Sequence, residues 1–126
     1  MEVADSSALH VLACLGTVSE MEGGVTAVND MIDTFAPDGR IAYVHFRNVQ
    51  GTVPKFNECY LGEGNYEPIT VMRRLRNSGF TGFLIDDHYP SMPGDSLWGH
   101  RARAHAMGYL QALIQATRVE PIQPTA

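Results

Sequence analysis

The sequence predicts an α/β fold built from three β/α units whose strands lie in a parallel sheet. Apolar runs of strand length alternate with amphipathic stretches of helical period, in the order strand, helix, strand, helix, strand, helix. The unit recurs three times, at about 35 to 42 residues, which leaves room for the crossover that parallel strands require. Each strand also ends on polar, chemically capable residues, where β/α folds build their sites.

The first unit opens with the apolar run "ALHVLACLG" (8–16), followed by the turn-like "EMEGG". "VTAVNDMIDTFA" (25–36) then sets Val25, Val28, Ile32 and Phe35 at three- and four-residue steps, one apolar helical face. "PDG" (37–39) stops that helix. The second strand is "IAYVHFRNV" (41–49), and the segment after it, "QGTVPKFNECYLGEGN", is long for a β-to-α connection and so is expected to be functional. Asn65 is placed to cap the next helix and Pro68 suits its first turn, with Ile69, Met72 and Leu75 facing inward. Arg73, Arg74 and Arg76 read as that helix's solvated side, and Gly79 as its C′ residue.

"TGFLIDDH" (81–88) is the third strand, running into the loop "YPSMPGDSLWG". The final helix, roughly 99–117, turns Ala102, Ala106, Tyr109, Leu113 and Ala116 along one face, and 118–126 reads as a frayed, flexible tail. The 126 residues make one domain. A three-stranded parallel sheet leaves two edges and one face open, so a partner or further strands are expected to cover it.

Composition narrows the function classes. Net charge is −5 with no basic stripe, which argues against nucleic acid, and no apolar run nears the ~18 residues of a membrane span. "MEVADSSALH" has neither a basic n-region nor a cleavable apolar stretch, and the two cysteines, Cys14 and Cys59, fit no disulfide framework. The cytoplasm is the expected location.

The strand ends carry the chemistry: Cys14 on the first, His45 and Arg47 on the second, Asp86, Asp87 and His88 on the third. Taken singly, each has an ordinary reading as core cysteine, hydrogen-bonded strand histidine or solvated loop acid. Taken together they stand at matching topological positions, and a thiolate, an imidazole and a carboxylate are acceptable ligands of one divalent metal. Alternation along 41–47 places His45 and Arg47 opposite Ala42, Val44 and Phe46. Arginine's planar fork suits a carboxylate, so an acidic small-molecule substrate is expected.

With "CLGT", "VHFRNVQGT", "KFNECYLGEGNY", "LIDDHYPSMPGD" and "WGHRARAHAMGYLQAL" in view, the chain resembles the C-terminal part of the mannonate dehydratase family, over about residues 4–117. That resemblance implies the xylose-isomerase-like (β/α)8 barrel, or TIM barrel, of which the three strands would be the sixth, seventh and eighth. It implies a lyase that converts D-mannonate to 2-keto-3-deoxy-D-gluconate and water, with a divalent metal, commonly Mn2+, with Zn2+, Fe2+ or Co2+ as alternatives. Carried over, Cys14, His45 and Asp87 are metal ligands, Arg47 and Asn48 contact substrate, and Asp87 with His88 moves protons.

The family's remaining ligand, a histidine on an earlier strand, has no counterpart in this sequence, so metal is expected to be held poorly or to be absent. Turnover by the chain alone is expected to be weak or nil. A second expectation is a non-catalytic half-barrel that self-associates as a homo-oligomer through its open sheet. A third is a related metal-dependent sugar isomerase or epimerase, since fold analogy does not separate these chemistries.

Overall fold

The computed structural model describes residues 6–121. The chain runs β1 (Val11–Cys14), α1 (Leu15–Ser19), α2 (Gly24–Phe35), β2 (Ile41–His45), β3 (Asn48–Thr52), β4 (Lys55–Cys59), a 3-10 turn Leu61–Glu63, α3 (Pro68–Asn77), β5 (Phe83–Ile85) and α4 (His100–Arg118). β1, β2 and β5 form a parallel sheet in the order β1-β2-β5, the α/β arrangement read from the sequence. Cys14 pairs with His45 and His45 with Ile85, so the polar ends of the three strands finish level with one another.

One face of the sheet is covered. Ala13, Leu15, Val44 and Phe46 are buried in a single cluster with Val28 and Ile32 of α2, Val71, Met72 and Leu75 of α3, and Ala106, Leu110 and Leu113 of α4. Among the described residues the other face is open. Leu12, Tyr43 and Phe83 lie in one row across all three strands, with Leu12 42% and Phe83 59% exposed. The Tyr43 and Phe83 rings stack with centroids 5.0 Å apart.

The largest departure from the sequence reading is the antiparallel hairpin of β3 and β4 inside the segment expected to be a loop. Lys55, Phe56 and Asn57 of β4 are all exposed, so this strand carries no alternation of apolar and polar residues to betray it. Asn65 does not cap α3; Glu67 holds that position without a side-chain cap. Asn65 instead donates to the carbonyls of Ser19 and Gly51 at 2.9 and 2.7 Å and accepts from the Gly51 N–H at 2.9 Å, tying the hairpin to α1. Gly51 takes φ +87°, where an L side chain is disfavoured.

The three arginines of α3 are cross-links rather than a free solvated face. Arg74 forks onto Asp33 of α2 and Arg73 onto Glu120 beyond α4. Arg76 donates to the carbonyls of Thr117, Glu120 and Pro121. Arg118 therefore closes α4 and residues 119–121 are tied to α3, while 122–126 of the expected tail lie outside the described residues. The buried face of α4 is Ala102, Ala106, Leu110, Leu113 and Thr117, with Tyr109 half-buried and Ala116 exposed. Alanines occur all round this helix, so they mark its inner face weakly. The expected Gly79 turn is present, at φ +82° directly after Ser78. Among the described residues no helix is long and apolar enough to cross a membrane.

Candidate metal centre

Cys14 and His45 are the last residues of β1 and β2, and Asp87 stands two residues beyond β5. All three turn to the open side of the sheet because they continue the row parity of Leu12, Tyr43 and Phe83. One donor atom from each lies within 4.8 Å of the others. Asp87 Oδ2 is 3.5 Å from His45 Nδ1 and 3.7 Å from Cys14 Sγ. Ligands bound at ~2.0–2.3 Å to one ion sit roughly 3–4 Å from each other, a spacing that the two Asp87 distances meet. Thiolate, imidazole and carboxylate are also a chemically consistent donor set, and the residues present fit a divalent metal. Among the described residues the group offers three such donors.

Arg47 is buried behind this group, 5% exposed. Its Nη1 donates to Glu58 Oε1 at 2.8 Å, and its Nη2 to Glu20 Oε2 at 3.1 Å and Thr17 Oγ1 at 3.4 Å. Nε lies 3.2 Å from Asp87 Oδ2 as a charge contact, but the angle is not that of a hydrogen bond. Burial pulls the guanidinium's pKa down, yet the nearby Cys14, the charge of Glu58 and the hydrogen bond to Glu20 outweigh it, so the net shift is upward. The guanidinium lies over Gly16 of α1, where a Cβ would come within 2.4 Å of Arg47 Cγ.

His88 is largely exposed beside Asp87, with Nε2 3.7 Å from Asp87 Oδ1 and Nδ1 3.2 Å from Glu58 Oε1. Asn48 is fully buried and does not face the open cleft. Its amide donates to the carbonyls of Leu61 and Tyr66, each at 2.9 Å. Tyr66 in turn donates its hydroxyl to the Arg47 carbonyl, and burial holds that phenol well above its usual range, with Cys14 and Cys59 adding to the rise. Asn48 and Tyr66 thus fix the backbone from which Arg47 projects.

Three contributors escaped the sequence reading. Glu58, on β4, joins Arg47 to His88; Glu20 and Thr17 enter from the end of α1 and its neighbour. Thr17 also donates to Cys14 Sγ at 3.1 Å. The spacing of the three strand ends could not reveal them because none lies on the parallel sheet. The two cysteines, both free, differ sharply. Cys14 sits in the cluster, whereas Cys59, the last residue of β4, is buried and its thiol is pushed up to about 11 by burial, then by Glu63 and Glu58.

Comparison with known proteins extends these observations. The family model described as D-mannonate dehydratase (UxuA) matches residues 1–122. Mannonate dehydratase 2 of Halalkalibacterium halodurans is 30% identical over 106 residues, covering 82% of this chain and 29% of that protein. The mannonate dehydratase of Thermotoga maritima is 27% identical over the same length, 28% of its own. The crystal structure of mannonate dehydratase from Streptococcus suis serotype 2 superposes with a TM-score of 0.83 over 97% of this chain and 36% of that one, at 24% identity. The fold is therefore shared with about a third of a larger protein, which is compatible with a partial barrel, and the chain spans under a third of the length of the curated relatives it matches. Because the family match runs over residues 1–122 of 126 rather than over one motif, the chain belongs to the D-mannonate dehydratase (UxuA) family.

Proposed function

We propose that this chain supplies one side of the active centre of a metal-dependent hydro-lyase that converts D-mannonate to 2-keto-3-deoxy-D-gluconate and water. The observation that carries the proposal is the meeting of Cys14, His45 and Asp87 donor atoms within 4.8 Å at the ends of three adjacent strands. Those residues would hold the divalent ion, Mn2+ on the family resemblance, with Zn2+, Fe2+ and Co2+ also suited to the donor set. When bound, the ion supplies Lewis-acid polarisation of substrate oxygens.

The chain's own groups account for the proton movements. Dehydration removes the proton α to the carboxylate, expels the neighbouring hydroxyl as water, and leaves an enol that tautomerises to the 2-keto acid. Expulsion needs an acid at the departing oxygen and abstraction needs a base. His88 faces the cleft with Glu58 beside Nδ1, an arrangement that holds a proton there and leaves Nε2 for exchange with substrate. Asp87 shares that exchange through Oδ1, 3.7 Å away. Arg47, with both ends of its fork held by Glu20 and Glu58, acts as an orienting cation, and Asn48 as an internal brace. In this reading their influence on substrate passes through the groups they hold. Free thiols at both cysteines are in keeping with a cytoplasmic enzyme.

The test is formation of 2-keto acid from D-mannonate with Mn2+. The isolated chain is expected to give little or none. A chimera in which residues 6–121 replace the matching segment of a full-length relative is expected to be active, and to lose about 100-fold or more with Asp87→Asn. A folded but inactive chimera would overturn the dehydratase reading; clear turnover by the isolated monomer would overturn the need for a completing segment.

The open row Leu12, Tyr43 and Phe83 favours a second reading, in which a further copy of the chain covers the sheet. The two readings are compatible.

A further inference from the structure

Asp86 and Asp87 leave β5 in opposite directions. Asp87 turns to His45 and Arg47, whereas Asp86, its side chain 12% exposed, turns to α4 and meets Arg103 Nη1 at 2.8 Å. Arg103 also donates from Nε to the carbonyl of Trp98 at 3.1 Å. Its guanidinium lies 5.1 Å from the Tyr89 ring centroid and 5.7 Å from that of Trp98. A single side chain therefore grips the beginning of the segment between β5 and α4, at Asp86 and Tyr89, and its end, at Trp98. Between those grips lie Asp87, His88 and one wall of a cavity of about 480 Å³ that opens beside them.

We infer that Arg103 is a positioning residue for the metal centre: it fixes the backbone on both sides of the cavity and so sets the direction in which Asp87 presents its carboxylate. β5 ends at Ile85, so no strand pairing holds Asp87 itself. With Asp86 anchored to α4, alternation sends Asp87 to the opposite side. Arginine suits this task because one planar group can donate in two directions while lying against aromatic faces; lysine would keep the charge contact with Asp86 but not the simultaneous bond to Trp98. The other arginine links to the α4 region, from Arg73 and Arg76, act on residues 117–121 at its far end and supply an internal control.

The inference rests on the metal-binding reading above, and the experiment separates the two. Co2+ affinity is measured by optical titration of the chimera described above, in which the relative supplies the completing segment, and amide hydrogen exchange over residues 86–92 is followed in the full chain without metal. Arg103→Ala and Asp86→Asn are expected to weaken Co2+ binding about tenfold, the range seen when outer partners of a ligand are removed. Both should also speed exchange over 86–92 while leaving 41–46 unchanged. Arg103→Lys is expected to recover part of both effects, and Arg73→Ala to alter neither. Wild-type affinity and exchange in Arg103→Ala, or equal losses in Arg73→Ala, would overturn the positioning role alone. Failure of the unaltered chimera to bind Co2+ would overturn the metal reading, whereas unchanged exchange over 86–92 in Arg103→Ala would overturn the positioning role by itself.

Discussion

Arg47 shows most clearly how a residue's chemistry depends on where the chain buries it. From its place in "VHFRN" it reads as a fork waiting for a substrate carboxylate. In the fold it already serves carboxylates of the chain itself, at Glu20, Glu58 and Asp87. Removing such a cation leaves several acids without their partner; since those acids are only partly buried, Arg47→Met is expected to lower stability by roughly 3 kcal/mol, read by urea denaturation at neutral pH. Gly16 is the matching requirement on α1. A methyl there collides with the Cγ, Nε and Cζ of Arg47 at 2.4, 2.5 and 2.6 Å. Gly16→Ala should cost about 1–3 kcal/mol and disturb the site, whereas Gly39→Ala, with open space around its Cβ position, should cost mainly its backbone strain at φ +64°. The three candidate ligands were legible because they stand at or just beyond the ends of the parallel strands. Glu58 and Glu20 were not, because a carboxylate on an exposed hairpin or a short helix resembles any solvated acid until the partner is seen.

At the level of elements, the parallel strands announced themselves through apolar runs, while β4 did not, since a strand exposed on both faces has no reason to alternate. Helix ends were legible where the backbone demanded a residue type, as at Gly79, and misread where a side chain had a distant alternative, as with Asn65. The start of α4 follows the same lesson. Gly99, at the N-cap, has no side chain to offer, and Asp95 reaches back from the loop to accept from the N–H groups of Arg101 and Ala102. The Arg101 N–H holds its carboxyl below the ordinary range against the opposing effect of burial, with Ala102 and Ser96 adding to the lowering. Since the folded value lies below the unfolded one, the stabilisation is fully present above the unfolded value, about 3.9, and fades as pH falls through the folded value. Asp95→Asn should therefore melt earlier than the parent at pH 7, and the gap in melting temperature should close on acidification through that range. A gap independent of pH would show that the charge of Asp95 does not contribute.

At the largest scale, the deciding feature is a sheet that the described residues cover on one face only. The sequence count of three strands already implied open edges and an open face, but not which residues would line it; the register supplies that, placing Leu12, Tyr43 and Phe83 in one row below Cys14 and His45. The row that faces the interior of a complete barrel is, on the self-associating reading, the surface that a second copy would cover. Sedimentation at micromolar concentration is expected to reveal dimers or larger species, and Phe83→Lys, on a residue 59% exposed, to shift them toward monomer with little loss of fold. A monomeric parent would remove the self-associating reading while leaving the chemistry of the strand ends intact.

That chemistry is tested most directly by titrating Co2+ into the chimera that carries residues 6–121 within a full-length relative and recording its absorption spectrum. Cys14 ligation predicts an intense near-ultraviolet thiolate-to-cobalt band that saturates at one ion per chain, disappears in Cys14→Ser, and needs at least tenfold more Co2+ in His45→Ala or Asp87→Asn. Absence of the band in the parent chimera, or its persistence unchanged in Cys14→Ser and Asp87→Asn, would contradict a metal centre built from these three strand ends.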